Sequence, residues 1–250
     1  MNPDVSGSRP LHRWKGRDLA FFGGAFLFLF VAAVFVRSLI LALIGGPMVE
    51  VVTALGLTFA VEAALLSAAC VLVQRVYGLS FYEEMRISLD YKIGSPSLVV
   101  LGMALALSVV LVSAMVARFV PGLVPEQETP IEQLLTTPGS VVLFAIFGIA
   151  IAPALEELMF RGFLFRVLQD VVGMSIAVWT TAAIFALFHG PQLWPNWPAI
   201  IVILGVGYVL SKLRERTDSV IPGFIVHTVY NAVLFLLFAF ASVTGANDLR

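Results

Sequence analysis

A chain of 250 residues that is 60% hydrophobic and only 12% charged carries about half the charge of an ordinary soluble domain, for which about 25% is typical. Mean hydropathy is +0.98, and no soluble globule of this length hides so much apolar surface. The net charge is -1, and the lysines and arginines fall in short clusters between apolar runs, so no basic face is offered to nucleic acid. The expected surroundings are the lipid bilayer, and the expected fold class is all-α, a multi-pass transmembrane helical bundle of about seven spans.

In chain order, residues 1–18 form a polar tail and the apolar run from Leu19 to Ile44 follows. That run is far longer than the ~7–15 residues of a signal-peptide core, so it reads as an uncleaved first span. Arg37 near its far end can snorkel to the interface. Further runs lie near 48–73, 97–120, 141–168, 175–189, 198–211 and 219–243, the fifth and sixth somewhat short for ~30 Å of hydrocarbon. Residues 19–244 thus read as one integral membrane domain, with a short tail at 245–250. No repeat or second domain is visible. The single cysteine, Cys70, excludes an intramolecular disulfide and reads as a buried thiol.

Charge in the links sets the expected orientation. Arg9, Arg13, Lys15 and Arg17 in the tail, Arg75, Arg86 and Lys92 after span two, and Lys212, Arg214 and Arg216 after span six share one side. Positive-inside then puts the amino terminus in the cytoplasm, and the compact chain with short links reads as a prokaryotic plasma-membrane protein. Opposite lie the acidic link with Glu126, Glu128 and Glu132 and an aromatic belt at Trp194 and Trp197. A short surface helix is expected near 128–136, and the segment 81–90 is expected along the inner interface.

Ionisable side chains inside a bilayer are costly and mark function by default. They gather in the carboxyl-terminal half: Glu156, Glu157 and Arg161 in span four, His189 at the end of span five, His227 with Asn231 in span seven. Glu157 and Arg161 are spaced i, i+4 with the acid first, the favourable order for a helical ion pair. Glu156 points about 100° away and needs another partner. Phe185 and His189 share a face, as do His227 and Asn231. Counting ~1.5 Å per residue from the cytoplasmic ends puts Glu156 and His189 roughly 21 Å deep and His227 and Asn231 roughly 12 and 18 Å deep. Three helices therefore deliver polar groups to one layer. Pro153 frees a backbone carbonyl near Ile149. Arg166 and Asp170 read as a structural pair, and Glu62, alone in span two, has no assigned role.

The three motifs resemble those of the CPBP family, the CAAX prenyl protease and bacteriocin-processing (Abi) proteins. Glu156-Glu157-Leu158-Met159-Phe160-Arg161 is similar to its Glu-Glu-x-x-x-Arg motif, Phe185-Ala186-Leu187-Phe188-His189 to Phe-x-x-x-His, and His227-Thr228-Val229-Tyr230-Asn231 to His-x-x-x-Asn. The resemblance covers about residues 141–235. It implies peptide-bond hydrolysis within the membrane, and for eukaryotic members removal of the last three residues of prenylated CAAX proteins.

Peptide hydrolysis needs an activated water, a base for its proton and donors for the oxyanion. Glu156 is the natural base, because apolar surroundings make a carboxylate a better proton acceptor, and His189 can hold the same water. His227 and Asn231 can donate to the oxyanion, with Glu157, Arg161 and Phe185 in support. The family resemblance implies the same roles. The expected partner is a peptide or protein substrate, with or without a lipid. The expected reaction is metal-independent; zinc held by Glu156, His189 and His227 is the alternative, disfavoured because asparagine is a poor zinc ligand and Glu156 cannot readily be both ligand and base. Two other classes fit the polar cluster: a transporter or proton-coupled channel, for which inverted repeats are the missing sign, and a non-catalytic scaffold or bacteriocin-immunity protein.

Overall fold

The computed structural model describes residues 13–120, 122–123 and 138–243. Most of the polar tail, the acidic link with the surface helix expected at 128–136, and the carboxyl-terminal tail lie outside the described residues. Within them, seven helices are long and apolar enough to cross a membrane: α1 Gly16–Ile44, α2 Pro47–Val71, α3 Ser95–Phe119, α4 Pro138–Val172, α5 Met174–Leu193, α6 Trp197–Thr217 and α7 Ile221–Val243. The all-α, seven-span architecture expected from hydropathy is what is observed.

Helices α5 and α6 are longer than their apolar runs. Pro191 lies inside the last turn of α5, where it removes a single hydrogen bond, and the chain stays helical to Leu193. So His189 is within the helix, a turn short of its end. Asn196 then caps α6 by accepting from Ala199 N–H at 3.1 Å, with Pro198 in the first turn. At the other end α6 continues through Lys212, Arg214 and Arg216, residues that the charge pattern places in a link. It closes at Asp218, whose backbone is left-handed and whose Oδ1 accepts from Arg214 Nη1 at 2.8 Å.

The links that join α4 to α7 are very short. Gly173 alone separates α4 from α5, with φ +85°, a conformation that costs glycine little. Such links force sequential helices to run antiparallel as neighbours, and α5 lies along α6 while α3 packs on α7. Leu98, Ala106, Val206, Leu210 and Val226 form the core between α3, α6 and α7. At the amino-terminal end, Trp14 N–H donates to Asp170 Oδ2 at 2.9 Å, and Asp170 also binds Arg166 as the spacing predicts. The segment 81–90 does more than lie on the surface. Its Arg86 carbonyl accepts from Val220 N–H at 3.1 Å and its Ser88 carbonyl from Ser219 Oγ at 2.6 Å, which pins the start of α7.

Candidate active site

Helix α4 changes its hydrogen-bond register twice. It is α-helical over Pro138–Ile146, Ala152–Glu156 and Phe165–Val172, and π-type over Phe147–Ile151 and Glu157–Leu164. Single π-type stretches in α-helices frequently sit at functional sites, and here one precedes the turn that carries Glu156 and the other begins at Glu157. In a regular α-helix Pro153 would leave the Ile149 carbonyl without a partner. In the π register, where Ala152 N–H reaches Phe147 O, the orphan moves to Gly148. Asn231 Nδ2 from α7 donates to the Gly148 carbonyl at 2.6 Å. The freed carbonyl expected from the sequence exists one residue earlier, and the third motif occupies it.

The two carboxylates reach different sides of one imidazole. Arg161 Nη1 donates to Glu157 Oε1 at 2.9 Å, as the i, i+4 spacing predicts, and His227 Nδ1 lies 3.2 Å from the same oxygen. Glu156 Oε2 is 3.7 Å from His227 Nε2, and its Oε1 is 3.8 Å from His189 Nε2. The partner that Glu156 lacked on its own helix is thus a pair of histidines from α5 and α7. His189 Nδ1 is 2.8 Å from the Phe185 carbonyl. A carbonyl can only accept, so Nδ1 carries the proton and Nε2 presents a lone pair to Glu156. His227, in its neutral form, is oriented the same way by Glu157.

Phe185 is the hub beneath these groups. Its ring lies 4.5 Å from the His189 ring and 5.8 Å from that of His227, and the Arg161 guanidinium sits 4.2 Å above it. Arg161 is fully buried; its Nη2 donates to the Gly207 carbonyl at 3.1 Å, and its own carbonyl accepts from Arg214 Nε at 3.0 Å. An uncompensated arginine here would be ruinous, and the carboxylate, the ring and the carbonyl of α6 share its stabilisation.

Four positions escaped the sequence motifs. Gly223 allows α7 to approach, since a Cβ there would collide with Glu157 Oε2. Gly207 leaves its carbonyl open to Arg161, and Arg214 braces the main chain of α4 from the end of α6. Glycine within membrane helices is the signal that would have suggested the first two. The fourth is Glu62, which proves to be buried and to line, with Glu156, His189, His227 and Asn231, a cavity of about 560 Å³.

A seven-span helical bundle that gathers two carboxylates, two histidines and a buried arginine around a cavity is a membrane protein built to handle a polar reaction or a polar passenger. Residues 138–233, which hold all three motifs, match the family model described as type II CAAX prenyl endopeptidase, Rce1-like. That match bears out the resemblance to the CPBP family. It spans little more than a third of the chain. Neither curated proteins nor solved structures yield a match to this chain.

Proposed function

We propose that this protein is an intramembrane endopeptidase in which Glu156 activates the attacking water. The observation that carries the reading is the facing of both Glu156 oxygens onto the Nε2 atoms of His189 and His227 across one cavity. At 3.7–3.8 Å these contacts are too long for direct hydrogen bonds, and a water beside them can donate one proton to Glu156 and the other to His189. Such contacts commonly tighten only when substrate arrives.

The water oxygen attacks the peptide carbonyl carbon as Glu156 takes one of its protons. The carbonyl π pair moves to oxygen, where the second N–H of Asn231, left over from its bond to Gly148, can donate. Collapse of the intermediate expels the amine, which takes the proton back from Glu156. Peptide and water become acid and amine, and Glu156 is again a carboxylate. His227, whose Nδ1–H is engaged with Glu157, turns an Nε2 lone pair to the cavity, where it can accept from a water beside Glu156 rather than serve the oxyanion. Glu157, Arg161 and Phe185 hold the two motif helices in place.

The reaction on this reading is metal-independent. Glu156, His189 and His227 are the donor types zinc would use, yet Asn231 beside them is a poor zinc ligand and Glu156 cannot readily be both ligand and base. The substrate is a peptide or protein segment entering the apolar cavity, of the CAAX type or without a lipid. The amino terminus is cytoplasmic, in a prokaryotic plasma membrane. The test is cleavage of a peptide library, prenylated and not, by purified protein in lipid nanodiscs. Glu156→Gln, which keeps the shape but cannot take a proton, is expected to lose ~10²-fold or more in rate at unchanged melting temperature. Retention of more than about a tenth of the activity would reject Glu156 as base, and solute flux without cleavage would favour the transporter reading.

A further inference from the structure

Glu62 stands apart from the motif-bearing region, on α2, and the mechanism above does not use it. It is 1% exposed, its Oε1 has no hydrogen-bond partner, and it lines the same cavity as Glu156. The ionisable groups facing it across the cavity are Arg37 of α1, Glu50 of α2, Glu156 of α4, His189 of α5, and His227 and Tyr230 of α7. Among the described residues Arg37 makes no ion pair with it, and the Arg37 Nε has no partner of its own.

Among the described residues no cation lies within hydrogen-bond reach of the Glu62 Oε1. Glu156 and Glu157 together already exceed the one charge of Arg161, because both imidazoles turn a protonated Nδ1 away from Glu156. A third carboxylate charge would leave an ion buried without counter-ion or donor, which is costly enough that such a group keeps its proton instead. A buried carboxyl that holds its proton is a strong donor to a nearby oxyanion, as in sites that use a neutral acid for that purpose. The mechanism above gives the oxyanion a single donor, the second N–H of Asn231: the other is already on Gly148, and His227 has its N–H on Glu157.

We infer that Glu62 is a further catalytic residue, a protonated carboxyl that donates a hydrogen bond to the carbonyl oxygen of the scissile peptide bond opposite Glu156. No proton is transferred: the Glu62 O–H bond is kept while negative charge grows on the substrate oxygen, and the bond shortens as that charge develops. The inference rests on the endopeptidase reading, but its test can fail separately. Wild type, Glu62→Gln and Glu62→Leu are compared in nanodiscs by infrared difference spectroscopy at neutral pH and by steady-state cleavage of the best library peptide.

The wild-type minus Glu62→Gln spectrum is expected to show the C=O band of a protonated carboxyl. Glu62→Gln, whose amide can still donate, is expected to keep kcat within about fivefold, and Glu62→Leu to lose on the order of 10²-fold in kcat with little change in KM. Absence of the band overturns the inference whether or not peptide is cleaved. So does a Glu62→Leu protein with kcat within about threefold of wild type. If Glu62→Leu fails to fold, the band and the Gln variant's kcat decide. Folded wild type that shows the band but cleaves nothing overturns the endopeptidase reading and leaves the proton on Glu62 standing.

Discussion

Glu157 holds His227 from behind: its Oε1 lies 3.2 Å from His227 Nδ1 and turns the other ring nitrogen toward Glu156, while the same oxygen receives Arg161 at 2.9 Å. One carboxylate therefore neutralises a buried cation on its own helix and orients a ring on another. Substitution can separate the two tasks.

Glu157→Ala and Arg161→Ala each leave a buried charge unpaired, which costs about 3–5 kcal/mol. Both single variants are expected to express poorly as folded protein, and the double variant to recover much of the yield. Activity should not return with it, because His227 Nδ1 has lost its acceptor. Fluorescence-detected size-exclusion and cleavage rate, measured together, check this. A double variant no better folded than either single would show that the pair is not what holds α4.

Asn231 carries the backbone defect of α4 as well as a free donor. Asn231→Ala leaves the Gly148 carbonyl unsatisfied, an expected loss of about 1–3 kcal/mol, together with on the order of 10²-fold in kcat. Asn231→Asp has the same shape but presents an acceptor to a carbonyl and is expected to be at least as unstable. Thermal melts of both proteins separate the structural contribution from the catalytic one. Equal melting temperatures for wild type and Asn231→Ala would mean that the bond to Gly148 contributes nothing to stability.

Close approach at Gly223 can be tested with one methyl group. Gly223→Ala puts a Cβ into Glu157 Oε2, whereas Gly205→Ala meets nothing within 4 Å. The first must push the carboxylate or α7 aside, and a displacement of ~1 Å at a reacting centre can cost 10²-fold. We expect Gly223→Ala to lose at least about tenfold in kcat/KM and Gly205→Ala to match wild type. Comparable activity in the two variants would mean that the α4–α7 spacing does not set the geometry of Glu156.

Metal dependence has its own readout. Active protein is expected to hold far less than one zinc per chain by elemental analysis, and to keep its rate after prolonged chelation. A stoichiometric zinc whose removal abolishes cleavage, restored only by metal, would assign Glu156, His189 and His227 as ligands instead.

Composition and periodicity alone determined the class of this protein, its seven spans, the Glu157–Arg161 and Arg166–Asp170 pairs, and the delivery of Glu156, His189 and His227 from three separate helices. These depend on hydrophobicity and on distances along one helix, which a sequence encodes directly. The ends of α5 and α6 were misjudged because a proline in a last turn removes only one bond and because basic residues at a membrane boundary can remain helical. Only the tertiary structure decided the rest. Which imidazole nitrogen faces Glu156 depends on acceptors supplied by Phe185 and Glu157, and the carbonyl that Asn231 completes depends on a π register in α4. Whether Glu62 belongs to the cavity depends on how α2 lies against α4. Each of these is a relation between helices or a shift of backbone register, and neither hydropathy nor residue spacing carries that information.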